Sequence, residues 1–197
     1  VFTITQIADQ LLNGYWGGTG RRWGAANTDI TYNVTGLSTE RATVARLAFA
    51  TWADVTGLTF TETSGTAEIT LDDTQSGAFA SSSTSGAGSP RTINSASINV
   101  ETTWSGGTSA IDSYTFQTFI HEIGHTLGLG HAGNYNGSAT YGVNNHYDND
   151  TWQYTVMSYF NQSNYNGASY RYVFTPQMAD IFAAQQYYGA GTARSTD

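Results

Sequence analysis

The sequence predicts an α+β domain in which one mixed β-sheet carries helices on one face and an irregular C-terminal part adds a last helix. Three observations predict it. Asp29-Ile30-Thr31-Tyr32-Asn33-Val34 alternates polar and apolar residues as a half-buried strand does, and several shorter β-rich runs follow it. Between and after these runs lie segments whose apolar residues recur at helical spacing. The length of 197 residues suits a single domain with two parts around a cleft, an upper one over residues 1–131 and a lower one over 132–197.

Ile4, Ile7, Ala8, Leu11 and Leu12 mark a short amphipathic helix that stops at Asn13-Gly14. Gly17-Gly18-Thr19-Gly20 reads as a flexible loop before the first strand. Ser38 is placed to cap the next helix, with Glu40 in its first turn and Val44, Leu47, Ala48 and Val55 as a buried stripe ending at Gly57. Strands follow at residues 58–62 and 67–71, parted by the turn Ser64-Gly65, and again at 78–81 and 97–101. The serine- and glycine-rich residues 82–90 read as exposed loop. Asp112 or Ser113 caps a helix that buries Phe116, Phe119, Ile120, Ile123 and Leu127. Residues 133–153, rich in asparagine and glycine, form a loop of functional length expected along the cleft rim. Thr175-Pro176 announces the last helix, as cap and first helical residue, and the helix runs through Met178, Ile181, Phe182 and Gln185 to Tyr188-Gly189. The tail over residues 190–197 has no packing signal.

Composition narrows the function. A net charge of −8, with every basic residue an arginine, argues against a phosphate-binding surface and hence against nucleic acid. The absence of cysteine excludes disulfides, thiolate metal sites and thiol catalysis. No apolar run approaches the length of a membrane span. The chain opens on Val1-Phe2-Thr3-Ile4 rather than on an initiator methionine, as expected of a processed form or an excised domain.

The chemistry is concentrated in His121-Glu122-Ile123-Gly124-His125-Thr126-Leu127-Gly128-Leu129-Gly130-His131, which holds three of the four histidines. On a helix, positions four apart share a face, so His121 and His125 can offer imidazoles to one ion while Glu122 projects beside it. Gly128 can adopt a left-handed backbone, end the helix and return His131 toward the same ion. Three neutral imidazoles leave a fourth position open for water, which is a catalytic rather than a structural zinc arrangement. Peptide hydrolysis needs an activated water, a polarised carbonyl and a proton for the leaving amine; zinc supplies the first two, and Glu122 the proton transfers. His146 reads as a solvated loop histidine. A non-catalytic zinc-stabilised domain that holds peptides in a surface or S-layer assembly is the competing reading.

With Thr155-Val156-Met157-Ser158-Tyr159 the motif resembles that of the metzincin metalloproteases, whose second signature is a methionine turn beneath the zinc. Tyrosine two residues after the methionine resembles the serralysins, secreted bacterial proteases. Astacins share that tyrosine but normally have disulfides, and matrixins lack it. The resemblance continues through Tyr187-Tyr188-Gly189 and runs back to the strand at Asp29.

It implies a twisted, mixed, five-stranded sheet and one Zn2+ bound by His121, His125 and His131. Glu122 would be the base, Met157 the non-ligating floor, and Tyr159 a further resting-state ligand that swings away to hydrogen-bond the oxyanion. It also implies that substrate adds an antiparallel strand to a sheet edge matching Ala78-Phe79-Ala80. The expected partners are protein or peptide substrates and a proteinaceous inhibitor, the protein acting as a monomer outside the cell. Two departures stand out. Ala132 follows the third histidine where serralysins usually have proline. Their C-terminal β-roll, where Ca2+ is mainly expected, would begin about where this chain stops, so truncation or processing is expected.

Overall fold

The computed structural model describes residues 1–191. Four α-helices and one sheet make the frame: α1 (Ile4–Asp9), α2 (Thr39–Val55), α3 (Tyr114–Thr126) and α4 (Met178–Tyr188), with strands β1 (Arg21–Trp23), β2 (Asp29–Gly36), β3 (Thr59–Glu62), β4 (Ile69–Asp72), β5 (Ala78–Ser85) and β6 (Arg91–Val100).

The sheet runs β3, β2, β4, β6, β5, parallel throughout except for β5, which pairs antiparallel with β6 and forms an edge. Five strands were expected from the resemblance; the sixth is β1, which pairs with residues 91–93 of β6 while β4 pairs with 96–99. A strand of three residues behind a glycine loop is too short to show a period. Along β2, Ile30, Tyr32 and Val34 are buried while their neighbours are not, so one face of the sheet meets the helices. The fully buried Phe49 and Trp52 of α2 and Phe119, Ile120 and Ile123 of α3 fill that layer.

Several boundaries differ from expectation for identifiable reasons. Residues 82–85 are not loop: β5 continues to Ser85 and β6 starts at Arg91, leaving residues 86–90 as the connection. Serine has little strand preference of its own, and here backbone pairing with β6 supplies the order. In α2, Ser38 caps as expected, accepting from Arg41 N, but the buried stripe runs through Ala45, Ala48, Phe49 and Trp52. That phase leaves Leu47 exposed on the far side.

The last helix has Gln177 as cap and Met178 as first residue, because the Asp180 carboxylate accepts from Gln177 N at 2.7 Å. Thr175 and Pro176 therefore lie just outside it. Its large apolar residues do not all face the core: Met178 is 60% exposed and Phe182 is exposed too. The buried face is Ala179, Asp180, Ala183 and Ala184, small enough for α4 to press against α1. Ala190 makes a bridge with Thr56, and residues 192–197 of the expected tail lie outside the described residues. Among the described residues no helix is long and apolar enough to cross a membrane.

Candidate metal centre

Ser113 starts the site. Its hydroxyl accepts from Phe116 N at 3.1 Å and caps α3, whose apolar stripe is buried against α2 and the sheet. This fixes the helix rotation, so His121, Glu122 and His125 all line the cleft. The helix ends at Thr126. Gly128 has φ +97°, and a Cβ there would run into the carbonyl oxygen of Arg21, so only glycine fits. The reversed chain is held by Gly130 N donating to Leu11 O at 2.7 Å, and His131 returns to the pair as expected.

The ring centroids of the three histidines lie 4.7, 4.6 and 5.3 Å apart. Each Nδ1 donates to a backbone carbonyl: His121 to Val156 O at 2.8 Å, His125 to Leu129 O at 2.7 Å and His131 to Tyr135 O at 2.8 Å. A carbonyl can only accept, so every Nε2 is left as a bare lone pair facing the other two. Burial pushes His121 down to about 4 and His131 to about 3, and holds His125 well below the usual histidine range. All three are neutral at pH 7. The Nε2 atoms of His125 and His131 lie 3.0 Å apart, a repulsive contact unless a cation sits between them.

Zn–N bonds of about 2.0–2.1 Å in a tetrahedron put ligand nitrogens roughly 3.3–3.5 Å apart. The three histidine ligand atoms lie within 4.8 Å of one another, and no other group of three His, Asp or Glu among the described residues could hold a metal. The donor set therefore fits zinc.

Glu122, Tyr159 and residues 78–80 line one cleft, with Met157 buried behind it. Glu122 is buried, its Oε2 has no hydrogen-bond partner, and burial pushes its carboxyl up to about 8. Tyr159 places its ring 4.6 Å from that of His131, and its Oη accepts from Gly137 N at 3.3 Å. Met157 is fully buried beneath α3, and a Cβ on Gly124 would sit 2.8 Å from its Sδ. Ala78, Phe79 and Ala80 of β5 line the cleft above the histidines. Of the long loop expected along the rim, residues 136–139 line the far side of the cleft with Trp104 and Tyr114. His146 is exposed and away from the metal ligands, edge-on to Phe2.

Two supports had no reading in the sequence. Asp180 accepts from Thr155 Oγ1 at 2.5 Å and Val156 N at 2.8 Å, so α4 pins the methionine turn whose Val156 carbonyl orients His121. Its place as third residue of a helix, where a carboxylate caps, is the signal that could have found it. Tyr135, whose carbonyl orients His131, donates its phenol to Asp150 at 3.0 Å; nothing local in the sequence marks this pair.

Fold and site together define a metzincin domain: a helix-borne histidine pair, a third histidine returned by a glycine turn, and a methionine turn beneath. The chain belongs to the matrixin family of M10 peptidases, whose family model matches residues 22–151. That match ends before Met157 and Tyr159, so it does not bear on the tyrosine that separates the branches.

Relatives that extend further are serralysin-type. The chain is 34% identical to serralysin C of Dickeya chrysanthemi over 100% of its own length and 46% of that protein's. It is 35% identical to metallopeptidase AprA of Pseudomonas marginalis over 96% of this chain and 46% of the relative. A serralysin of Photorhabdus sp. (strain Az29) is 36% identical over 86% of this chain and 38% of its own length. The chain thus spans less than half the length of these curated relatives.

Proposed function

We propose that this chain is the catalytic domain of a secreted zinc endopeptidase of serralysin type. The observation that carries the reading is the orphaned, buried Glu122 carboxylate beside three imidazoles whose bare Nε2 atoms converge. A structural metal site needs no buried base, whereas a hydrolytic one does.

His121, His125 and His131 hold the zinc, which when bound supplies a Lewis acid that acidifies water and polarises the scissile carbonyl. Glu122 takes the proton from the attacking water and passes it to the leaving amide nitrogen. Glu122 would act in its ionised form, which a cation held by the three histidines would favour against the effect of burial. Tyr159 donates its phenol proton into a hydrogen bond with the oxygen on which negative charge develops. Met157 floors the site without binding the metal. Substrate lies as an antiparallel strand along the free edge of β5 at Ala78, Phe79 and Ala80, held by main-chain hydrogen bonds and so with broad tolerance for sequence.

The zinc-loaded chain is expected to cleave casein, and activity is expected to vanish with a chelator and in Glu122→Ala with its zinc retained. Peptide binding with no cleavage by the unaltered protein would assign the domain instead to peptide recognition.

A further inference from the structure

The cleft has an end that this chemistry does not use. Past the histidines, away from Trp104 and Tyr114, it is bounded by Tyr15, Trp16, Arg21 and residues 80–82 of β5. Arg21 is the cation there. Its guanidinium stacks over Trp16, 3.5 Å from the ring centroid, and Nη1 reaches Ser82 Oγ at 3.4 Å. Its Nε is buried with no hydrogen-bond partner, and no carboxylate forms an ion pair with it among the described residues.

The protein has 15 acidic side chains for 7 arginines, so a half-buried arginine left without an acid is not for want of partners. Removing a cation from water without pairing it is unfavourable. The strand register adds a second unfavourable feature. Arg21 and Arg91 are partners across β1 and β6, on the face where the next-but-one pair, Trp23 and Ile93, is buried. Like charges directly opposite each other destabilise a sheet, and the charge of Arg91 bears on Arg21. Arg91 has no ion-pair partner among the described residues either. A carboxylate entering this end of the cleft would offset both costs. Trp16 fixes the plane of the guanidinium, whose fork suits a two-point bond to a carboxylate.

We propose that Arg21, reinforced by Arg91, determines specificity by binding an acidic side chain of the substrate on the N-terminal side of the scissile bond. The assignment rests on β5 as the substrate-binding edge. Ala78 borders both halves of the cleft, and Ser82 lies four residues further along β5, about 13 Å at the rise of a strand. A peptide antiparallel to β5 has its N-terminal part at the Ser82 end, so the carboxylate there belongs to a side chain, two to four residues before the cut, and not to a chain terminus.

The test compares peptides carrying Glu, Gln or Lys at each of those positions, as kcat/KM with the zinc-loaded protein and as Kd with Glu122→Ala. Glu is expected to exceed Lys by about tenfold at one position, by the same ratio in both measurements, and less so as salt rises and screens the pair. Arg21→Gln should abolish the ratio and Arg21→Lys should keep part of it. Equal handling of Glu, Gln and Lys by the unaltered protein overturns the proposal without any variant, as does a ratio that survives in Arg21→Gln. Selective binding of Glu peptides through Arg21 with no cleavage of any would uphold this assignment and overturn the protease reading.

Discussion

Tyr159 is the donor proposed for the developing oxyanion, and burial favours its protonated form. Burial pushes its phenol up to about 12, so the proton stays on through any neutral or mildly alkaline working pH. Tyr159→Phe removes that proton and leaves the three histidines untouched. Turnover is expected to fall by about 10²-fold with zinc content unchanged, read by steady-state kinetics beside metal analysis. Unaltered turnover would remove Tyr159 from the chemistry. At this scale the sequence was most informative about the three histidines that converge, since spacing of four on a helix and a glycine three residues later are local patterns. The carbonyls of Val156, Leu129 and Tyr135 that set the tautomers were invisible, because every residue has a carbonyl and only the fold chooses which one faces an imidazole.

Between elements, the contact that matters most runs from α4 to the methionine turn. Asp180 is fully buried, and its oxygens accept from Thr155, Val156 and Gln177. Asp180→Ala leaves three donors without their acceptor and is expected to cost about 3 kcal/mol in denaturant unfolding and to weaken zinc binding through Val156 and His121. Undiminished stability would mean that water replaces the carboxylate. Burial pushes this carboxyl up to about 7, against the pull of its donors. The folded state therefore holds its proton more tightly than the unfolded chain. Stability measured relative to Asp180→Asn should fall as pH rises from about 4 to about 7, and be level outside that window. A ratio that does not change with pH would show the carboxyl titrating alike in both states. Element types were legible wherever large apolar residues marked a period, as in α2, α3 and β2. They were illegible where residues 82–85 continue β5, and no periodic signal marked the inward face of α4, where alanines rather than Met178 and Phe182 meet the core.

Across the whole molecule the centre joins two pieces of chain far apart in sequence: residues 114–131, through α3 and the return at Gly128 to His131, and the methionine turn held by α4. A metal at the histidines binds only the folded arrangement, so it stabilises the entire domain by mass action. At zinc a thousand times its Kd the gain is about 4 kcal/mol, or roughly 8–16 °C in Tm for a domain of this size. Calorimetry with zinc and with a chelator should show that difference, and His121→Gln should abolish it. No shift in the unaltered protein would mean that the three histidines do not gather a metal. The sequence by itself determined the zinc motif, the turn at Gly128, a strand beginning at Ala78 and the class of the fold, because each is written in residues close together along the chain. Only the tertiary structure decided how Asp180, Tyr135 and the strand edge stand around that motif, and that Arg21 faces the cleft without an acid. Those are contacts between residues far apart in sequence, selected by how the elements pack, and no local pattern encodes them.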